Sequence, residues 1–383
     1  MHSDAVMFRV AMSMSGFVVK GKDGVGNRPL VQLSLAPAMF PLLAANALTA
    51  SSLYWAQSVI GFAAAELKPS AFVALAPGAT LLGYALGVAG LATFAHDISR
   101  PSGLARHGAC LAAALCVAAA SPNGACLALA CLGIGAGCAL TQRILVLATT
   151  IFPESQRAQA IGTIVASSLF GILCARAYVP EAAAVFGWRL SFLAAAVAFL
   201  IACMTAVWLT PRRNVLLAIR SDLPPPMVLL RNSAPLRAAA LQQSIVFAAF
   251  NLGWSLFPSA SHAPPTARAL IATAGAFAAI MSGRACLRLA PSTVALVGLC
   301  TVGGAAVIAM LIYALRISSA GPLSYVAMSM LEIGTQVALV ANQTRAQAAA
   351  PSVPVRGRMA SIMTTIGFGG GAAGAAIGNL VWR

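Results

Sequence analysis

Apolar segments long enough to cross a membrane recur along the whole chain, and they restrict its fold more than any other feature of the sequence. A helix of about 20 residues spans the hydrocarbon core of a bilayer. Eleven windows of roughly that length contain few charges and are separated by clusters of proline, glycine and arginine. The predicted spans are 33–59, 71–95, 104–121, 124–150, 157–178, 188–210, 239–258, 268–288, 292–316, 322–347 and 357–381.

The composition leaves too little polar surface for a soluble protein. Hydrophobic residues make up 60% of the 383 residues and charged residues 8%, whereas a soluble domain carries about 25% charged residues. Soluble enzyme classes are therefore excluded. The sequence predicts an all-α polytopic membrane protein, without enzymatic activity, whose main partner is the lipid bilayer.

One long polar connection divides the predicted spans into two groups. It covers residues 211–238 and contains five arginines and a triple proline, and six spans precede it while five follow it. The predicted organisation is an N-terminal tail at 1–32, a six-helix bundle at 33–210, a basic linker at 211–238 and a five-helix bundle at 239–383.

The distribution of positive charge predicts the orientation in the membrane. The chain has 24 lysines and arginines against 8 acidic residues. In a soluble protein such an excess would suggest nucleic acid, but here the cations lie between apolar windows, so no nucleic-acid partner is expected. With a cytoplasmic N-terminus, 17 cations lie on the cytoplasmic side and 5 on the other. The positive-inside rule therefore predicts a cytoplasmic N-terminus and a periplasmic C-terminus.

The remaining composition bears on location and cofactors. Residues 1–30 contain no long apolar run before a small-residue cleavage site, so no secretory signal peptide is predicted. The alanine-rich and arginine-rich usage, with three lysines, is typical of a GC-rich bacterial genome and favours a bacterial inner membrane. The nine cysteines and four histidines have no metal-ligand spacing, so neither a metal site nor a cofactor is expected.

Four short motifs lie in four different predicted spans. Each places polar or charged residues beside glycine or aromatic residues in an otherwise apolar helix. They run from Asn46 to Gln57 (Asn … Tyr-Trp-Ala-Gln), from Gly171 to Arg176 (Gly-Ile-Leu-Cys-Ala-Arg), from Gly187 to Phe192 (Gly-Trp-Arg … Phe) and from Glu332 to Arg345 (Glu-x-Gly-x-Gln … Asn-Gln-x-Arg).

In their order and spacing these motifs resemble the major facilitator superfamily, in particular its drug, sugar and purine-nucleoside efflux branch of drug:proton antiporters. The resemblance covers about residues 33–382. It implies two helix bundles around a central cavity and a secondary transporter that exports a small organic molecule in exchange for protons, with the proton gradient as its energy source. An uptake or facilitated-diffusion carrier, and a non-transporting truncated or receptor-like protein, remain open as alternatives.

Two regions depart from the superfamily pattern. The superfamily has twelve helices, and eleven are predicted here, so the last one is expected to be missing. The loop after the second helix keeps Asp97 and Arg100, but Pro101 interrupts its basic run. By resemblance, Asp97 and Arg100 are candidate gating residues, and Arg176 near the end of the fifth span is a third.

Ionisable side chains inside predicted spans cost a few kcal/mol each to insert and therefore point to function. They are Arg143, Arg176 and Glu332. By resemblance, the spans of Arg143 and Glu332 both line the central cavity, so these two residues are expected to face each other as a substrate clamp and a proton-carrying carboxylate. A purely structural ion pair is the alternative. Two arginines against one glutamate also favour an anionic or strongly polar ligand.

Uncharged polar residues on the spans that the resemblance assigns to the cavity complete the candidate site. Their amides, hydroxyl and indole could bind a substrate, or could hydrogen-bond neighbouring helices instead. The predicted substrate-binding residues are Asn46, Tyr54, Gln57, Gln142, Arg143, Gln242, Gln243, Asn251, Trp254 and Gln336.

Overall fold

The computed structural model describes residues 36–93, 101–151, 154–209, 224–256, 264–314 and 322–381. The predicted tail at 1–32 and the candidate gating residues Asp97 and Arg100 lie outside these ranges. Within them, every regular element is helical, as the composition predicts. The helices are α1 (Ala36–Leu67), α2 (Ala71–Thr93), α3 (Pro101–Ala119), α4 (Gly124–Cys138), α5 (Leu140–Ile151), α6 (Glu154–Phe186), α7 (Trp188–Leu209), α8 (Pro226–Asn232), α9 (Ala234–Leu256), α10 (Pro265–Ala285), α11 (Pro291–Ala314), α12 (Pro322–Ala348) and α13 (Val353–Val381).

A helix or helix pair lies at each predicted span, with two differences of detail. The span predicted at 124–150 is divided into α4 and α5 at Ala139, whose N–H bonds the carbonyl of Ala136, three residues back, at 3.3 Å. A hydrogen bond to the third preceding residue closes a tighter turn than that of an α-helix and so interrupts the regular α-helical pattern. The predicted linker contains the short helix α8, which begins at Pro226, where the missing N–H of proline costs no hydrogen bond.

Length and hydropathy qualify eight of the described segments as membrane spans. The predicted count of eleven and the division into six plus five therefore stay predictions. The eight segments are Ala71–Leu91, Gly124–Leu145, Gly162–Phe186, Trp188–Leu209, Thr266–Ala285, Pro291–Ile312, Pro322–Ala348 and Val355–Val381.

Small residues let the helix backbones approach closely. A Cβ atom at Gly171 of α6 would overlap the carbonyl oxygen of Ala47 on α1. Gly135 of α4 has the same relationship to α2, and Gly374 of α13 to α9. Because lipid provides no hydrophobic force between helices, such close packing is what holds them together.

Two helix pairs form the most extensive contacts between the first six long helical segments and the last five. Helix α2 packs along α13, where Thr365 donates a hydrogen bond to the carbonyl of Ala85 at 3.4 Å. Helix α6 packs against α10. Both contacts place residues more than 80 positions apart in sequence side by side.

A polar tie fixes one end of α1, α3 and α7. Glu66 accepts hydrogen bonds from the Trp188 indole at 2.6 Å and from Nε of Arg189 at 2.7 Å. Arg189 also donates to the carbonyl of Ala119 at the end of α3. Gly187, which precedes this pair, has a φ of +84°, a value that favours glycine. The Gly-Trp-Arg motif is therefore a structural joint.

Candidate substrate and proton site

A buried ion pair lies at the centre of the described helices. Nη1 of Arg176 on α6 donates to Oε2 of Glu332 on α12 at 2.6 Å, and each side chain is 4% exposed. The two residues are 156 positions apart in sequence. Because a lone buried charge is costly, each of these groups depends on the other.

Aromatic rings enclose the guanidinium of this pair. The Cζ atom of Arg176 lies 4.7 Å from the centroid of Tyr54, 4.7 Å from that of Phe250 and 4.4 Å from that of Trp254. These distances are within the range of cation–π attraction. Helices α1, α6, α9 and α12 therefore meet at one charge.

Two further residues adjoin the carboxylate. Nε2 of Gln336, one turn along α12, lies 3.4 Å from Oε1 of Glu332 in donor geometry. Gly275 of α10 lies beside the Glu332 side chain, where a Cβ atom would come within 2.5 Å of Cγ. The absence of a side chain at position 275 thus makes room for the carboxylate.

A cavity of about 160 Å³ adjoins the ion pair on one side. Helices α1, α2, α4, α5 and α6 form most of its wall, and Phe368 of α13 completes it. Tyr54 lines this cavity and also contacts Arg176, so its ring separates the two. The polar lining residues are Asn46, Tyr54, Tyr84, Thr141, Gln142 and Ser168.

Hydrogen bonds order part of the polar lining. Nε2 of Gln142 donates to the Tyr84 hydroxyl at 3.2 Å, and that hydroxyl lies 3.4 Å from the hydroxyl of Thr141. Nδ2 of the fully buried Asn46 donates to the carbonyl of Ile164 and to the Ser168 hydroxyl. Oδ1 of Asn46 has no hydrogen-bond partner among the described residues.

A second ion pair lies on the other side of Arg176. Arg268 of α10, 2% exposed, donates from Nη2 to Oε1 of Glu181 on α6 at 2.5 Å. Glu181 is five residues beyond Arg176, which is about 7.5 Å along a helix. Helices α6 and α10 are thus tied on the side away from the cavity.

The structure gives Glu332 a different partner from the expected one. The expected partner is Arg143, but the ion pair is with Arg176, a candidate gating residue. Arg143 is buried on α5, the helix that follows α4 in the chain. Residues on different helices meet only if both helices present the right face, and spacing in sequence does not reveal that.

The predicted binding residues fall into three groups. Tyr54, Trp254 and Gln336 surround the ion pair, and Asn46, Tyr54 and Gln142 line the cavity. The others lie outside both places. They are Gln57, whose Nε2 is buried with no partner among the described residues, together with Arg143, Gln242, Gln243 and Asn251.

Three of these outlying amides hydrogen-bond within the helix packing. Gln242 donates to the carbonyl of Ala295 on α11 at 2.8 Å. Gln243 accepts from Asn342 of α12 at 3.2 Å, and Asn251 donates to a carbonyl of its own helix. The contacts of Gln242 and Gln243 correspond to the structural alternative in which polar residues join helices, whereas the contact of Asn251 stays within α9.

Sequence reasoning missed several residues of the site. Phe250 lies one helical turn before Trp254, so the spacing of four was an available signal. Thr141 adjoins Gln142 in sequence and gave a similar signal. Tyr84 and Phe368 lie in helices outside the four assigned to the cavity, and nothing in their sequence context marks them.

Comparisons with known proteins agree with this architecture. The family described as Major Facilitator Superfamily matches residues 31–375. A curated relative, "Uncharacterized transporter YgaY" of Escherichia coli O157:H7, is 28% identical over 239 residues, which make up 60% of this chain and 60% of the relative. The chain thus aligns with three fifths of that relative's length.

Solved structures of low sequence identity share the fold. A bacterial homolog to the human lysosomal transporter Spinster superposes with a TM-score of 0.70 at 16% identity, over 91% of this chain and 82% of that one. A point mutant of the nucleoside transporter NupG superposes with a TM-score of 0.67 at 15% identity, over 90% of this chain and 91% of that one. The xylose transporter XylE from E. coli gives 0.67 at 12%, over 90% of each chain.

Proposed function

The protein belongs to the Major Facilitator Superfamily of transporters, and we propose that it exports a small organic molecule in exchange for protons by alternating access. The Arg176–Glu332 ion pair carries this proposal. It is buried, joins α6 to α12, and contains a carboxylate that can bind a proton.

Protonation of Glu332 would change the contact between these helices. A protonated carboxyl has no charge, so its attraction to Arg176 is lost and the guanidinium keeps its full charge in an apolar environment. The free energy of the helix contact therefore depends on whether the proton is bound. Such linkage between a proton and a conformation is what coupled transport requires.

The arrangement along α6 supports access from the cytoplasm. The cavity lies toward the start of α6, and the Glu181–Arg268 pair lies toward its end. In the orientation that the charge distribution predicts, α6 begins on the cytoplasmic side. The cavity would then receive substrate from the cytoplasm while the Glu181–Arg268 pair keeps the periplasmic side closed.

The proposed order of binding is consistent with the same geometry. Substrate enters the cavity while Glu332 is ionised and paired with Arg176. After the helices rearrange, a proton from the periplasm binds Glu332 and substrate leaves. Return to the first state releases the proton into the cytoplasm, so one proton moves inward for each substrate exported.

The test uses everted membrane vesicles acidified inside, with a pH-sensitive dye that reports the gradient. Sugars, nucleosides, amino-acid derivatives and cationic drugs are added one at a time. We expect one class to release protons from vesicles that contain the wild-type protein, and Glu332→Gln to abolish this release. Glu66→Gln, which changes a carboxylate outside the site, is the matched control and is expected to release protons. Proton-driven transport that persists in Glu332→Gln would refute the proposal.

A further inference from the structure

We infer that the cavity beside Tyr54 binds a small, uncharged, ring-shaped molecule with an N–H or O–H donor, and that Tyr54 transmits its presence to the Arg176–Glu332 pair. The inference rests on the proposed proton coupling at Glu332 and adds to it the chemical class of the substrate. Four observations support it: the charge, hydrogen-bonding groups and volume of the cavity, and the position of Tyr54.

The lining indicates an uncharged ligand. None of the described residues that line the cavity is charged. Arg176, the charge that contacts the lining residue Tyr54, is paired with Glu332 and enclosed by three aromatic rings. A charged ligand in the cavity would lose its hydration without gaining a counter-charge, which is costly. The anionic ligand that the arginine excess favoured is therefore replaced by a neutral one.

The hydrogen-bonding groups indicate a donor on the ligand. Asn46 is 0% exposed and lines the cavity, and its Nδ2 group, which carries two hydrogens, lies within 2.9 Å of three acceptors, the carbonyl of Ile164 and the hydroxyls of Ser167 and Ser168. Its Oδ1 acceptor has no partner among the described residues. A buried acceptor without a donor costs about 1–3 kcal/mol. An N–H or O–H group of the ligand would remove this cost.

The volume of the cavity indicates the size of the ligand. A cavity of about 150 Å³ in another protein accommodates benzene, and the present cavity measures about 160 Å³. The rings of Tyr54, Tyr84 and Phe368 border it and offer flat apolar surfaces for stacking. A single ring with one small polar substituent fits these limits.

Tyr54 connects the ligand to the proton site. Its ring lines the cavity and lies 4.7 Å from the Arg176 guanidinium. A ligand stacked on this ring keeps it against Arg176 and so keeps Arg176 beside Glu332. Because a nearby positive charge favours the ionised carboxyl, the occupied cavity opposes proton binding. Substrate and proton then exclude each other, as exchange requires.

Three molecules of similar shape and different charge test whether the ligand of the cavity is neutral. Benzamide is neutral, benzoate is an anion and benzamidine is a cation, so calorimetric titration of each into the full-length protein in nanodiscs isolates the effect of charge. We expect benzamide to bind at least tenfold more tightly than the other two. Tighter binding of benzoate or benzamidine, or binding of none of the three, would overturn the inference.

Two variants test whether benzamide binds in the cavity beside Tyr54. Ala50 lines the cavity, so Ala50→Phe is expected to abolish benzamide binding, whereas Ala194→Phe at an exposed position of α7 is the matched control. Because overpacking can impair folding, Thr141→Val provides a second test that removes only a hydroxyl and should weaken binding several-fold. Unchanged affinity in both Ala50→Phe and Thr141→Val would overturn the location.

The role of Tyr54 is tested by proton release in weakly buffered solution, at a pH acidic enough that part of the Glu332 population carries a proton before benzamide is added. Benzamide should release protons from the wild type and from Tyr54→Phe, which keeps the ring. Tyr54→Leu should bind benzamide with little proton release. Equal release in both variants would refute the coupling role. Benzamide binding without any proton release in the wild type would refute the proposed proton coupling while leaving the cavity assignment intact, so the two failures are distinguishable.

Discussion

Arg268 of α10 and Glu181 of α6 form an ion pair on the side of Arg176 that faces away from the cavity, although 87 positions separate them in sequence. The Arg268 side chain is 2% exposed and the Glu181 side chain is 53% exposed. The pair therefore lies at the edge of the α6–α10 contact, where separation of the two helices would break it.

Loss of this pair is expected to weaken the closed arrangement. Glu181→Gln removes the negative charge, so α6 and α10 should separate more often. A cysteine placed at the fully buried Ala177, in a protein without its native cysteines, should then react several-fold faster with a maleimide. Glu66→Gln, which neutralises a different carboxylate, is the control variant. Equal maleimide labelling rates in Glu181→Gln and Glu66→Gln would contradict the role of the Glu181–Arg268 pair in keeping α6 and α10 together.

The stability of the protein should depend on Arg176 and Glu332 together, because each neutralises the charge of the other. Arg176→Ala leaves the Glu332 carboxylate buried without its counter-charge, and about 3–5 kcal/mol of stability should be lost. Replacement of both residues by methionine should restore much of that stability, because neither charge remains. Unfolding in mixed micelles compares both variants with the wild type. A double variant no more stable than Arg176→Ala would disprove the interaction.

The close approach of α1 and α6 predicts opposite effects for two glycines on one helix. Gly171→Ala places a methyl group on the carbonyl of Ala47 and should cost about 1–3 kcal/mol. Gly162→Ala enters open space, where alanine favours the helix by up to about 1 kcal/mol. Thermal unfolding of both variants compares them. Similar melting temperatures would show that the two helices can move apart freely.

The polar tie at Glu66 predicts a dependence on pH. Hydrogen bonds from Arg189 and then Trp188 lower the pKa of this carboxyl from its ordinary value of 4.5. A lowered pKa in the folded state means that the tie stabilises the protein above pH 4.5 and that this contribution is lost as the pH falls through the lowered value. Because the carboxylate is half exposed, the contribution should stay below about 1 kcal/mol.

The measurement is the difference in melting temperature between the wild type and Glu66→Gln across pH. It should be largest at neutral pH and shrink on acidification. A difference that stays constant from pH 7 to well below pH 4.5 would show that the ionised form of Glu66 has no special role.

Individual residues show how far the sequence could predict the site. Glu332 was identified because a carboxylate within a long apolar helix is costly and therefore unusual. Tyr54 and Trp254 were identified as polar aromatic residues on cavity helices, and both contact the ion pair. Phe250 contacts Arg176 as closely as Tyr54 does, but its spacing of four from Trp254 is the only signal that marks it, because an apolar ring in an apolar helix is otherwise ordinary.

The helical, membrane-spanning character of the chain was determined by the sequence alone. Hydrocarbon demands that each backbone amide and carbonyl be satisfied within its own helix, so length and hydropathy suffice to locate the helices. The partner of Glu332 and the separation of the cavity from the charges were decided only by tertiary structure. They depend on how each helix is rotated and how closely glycines such as Gly171 let backbones approach, and these are properties of packed pairs of helices.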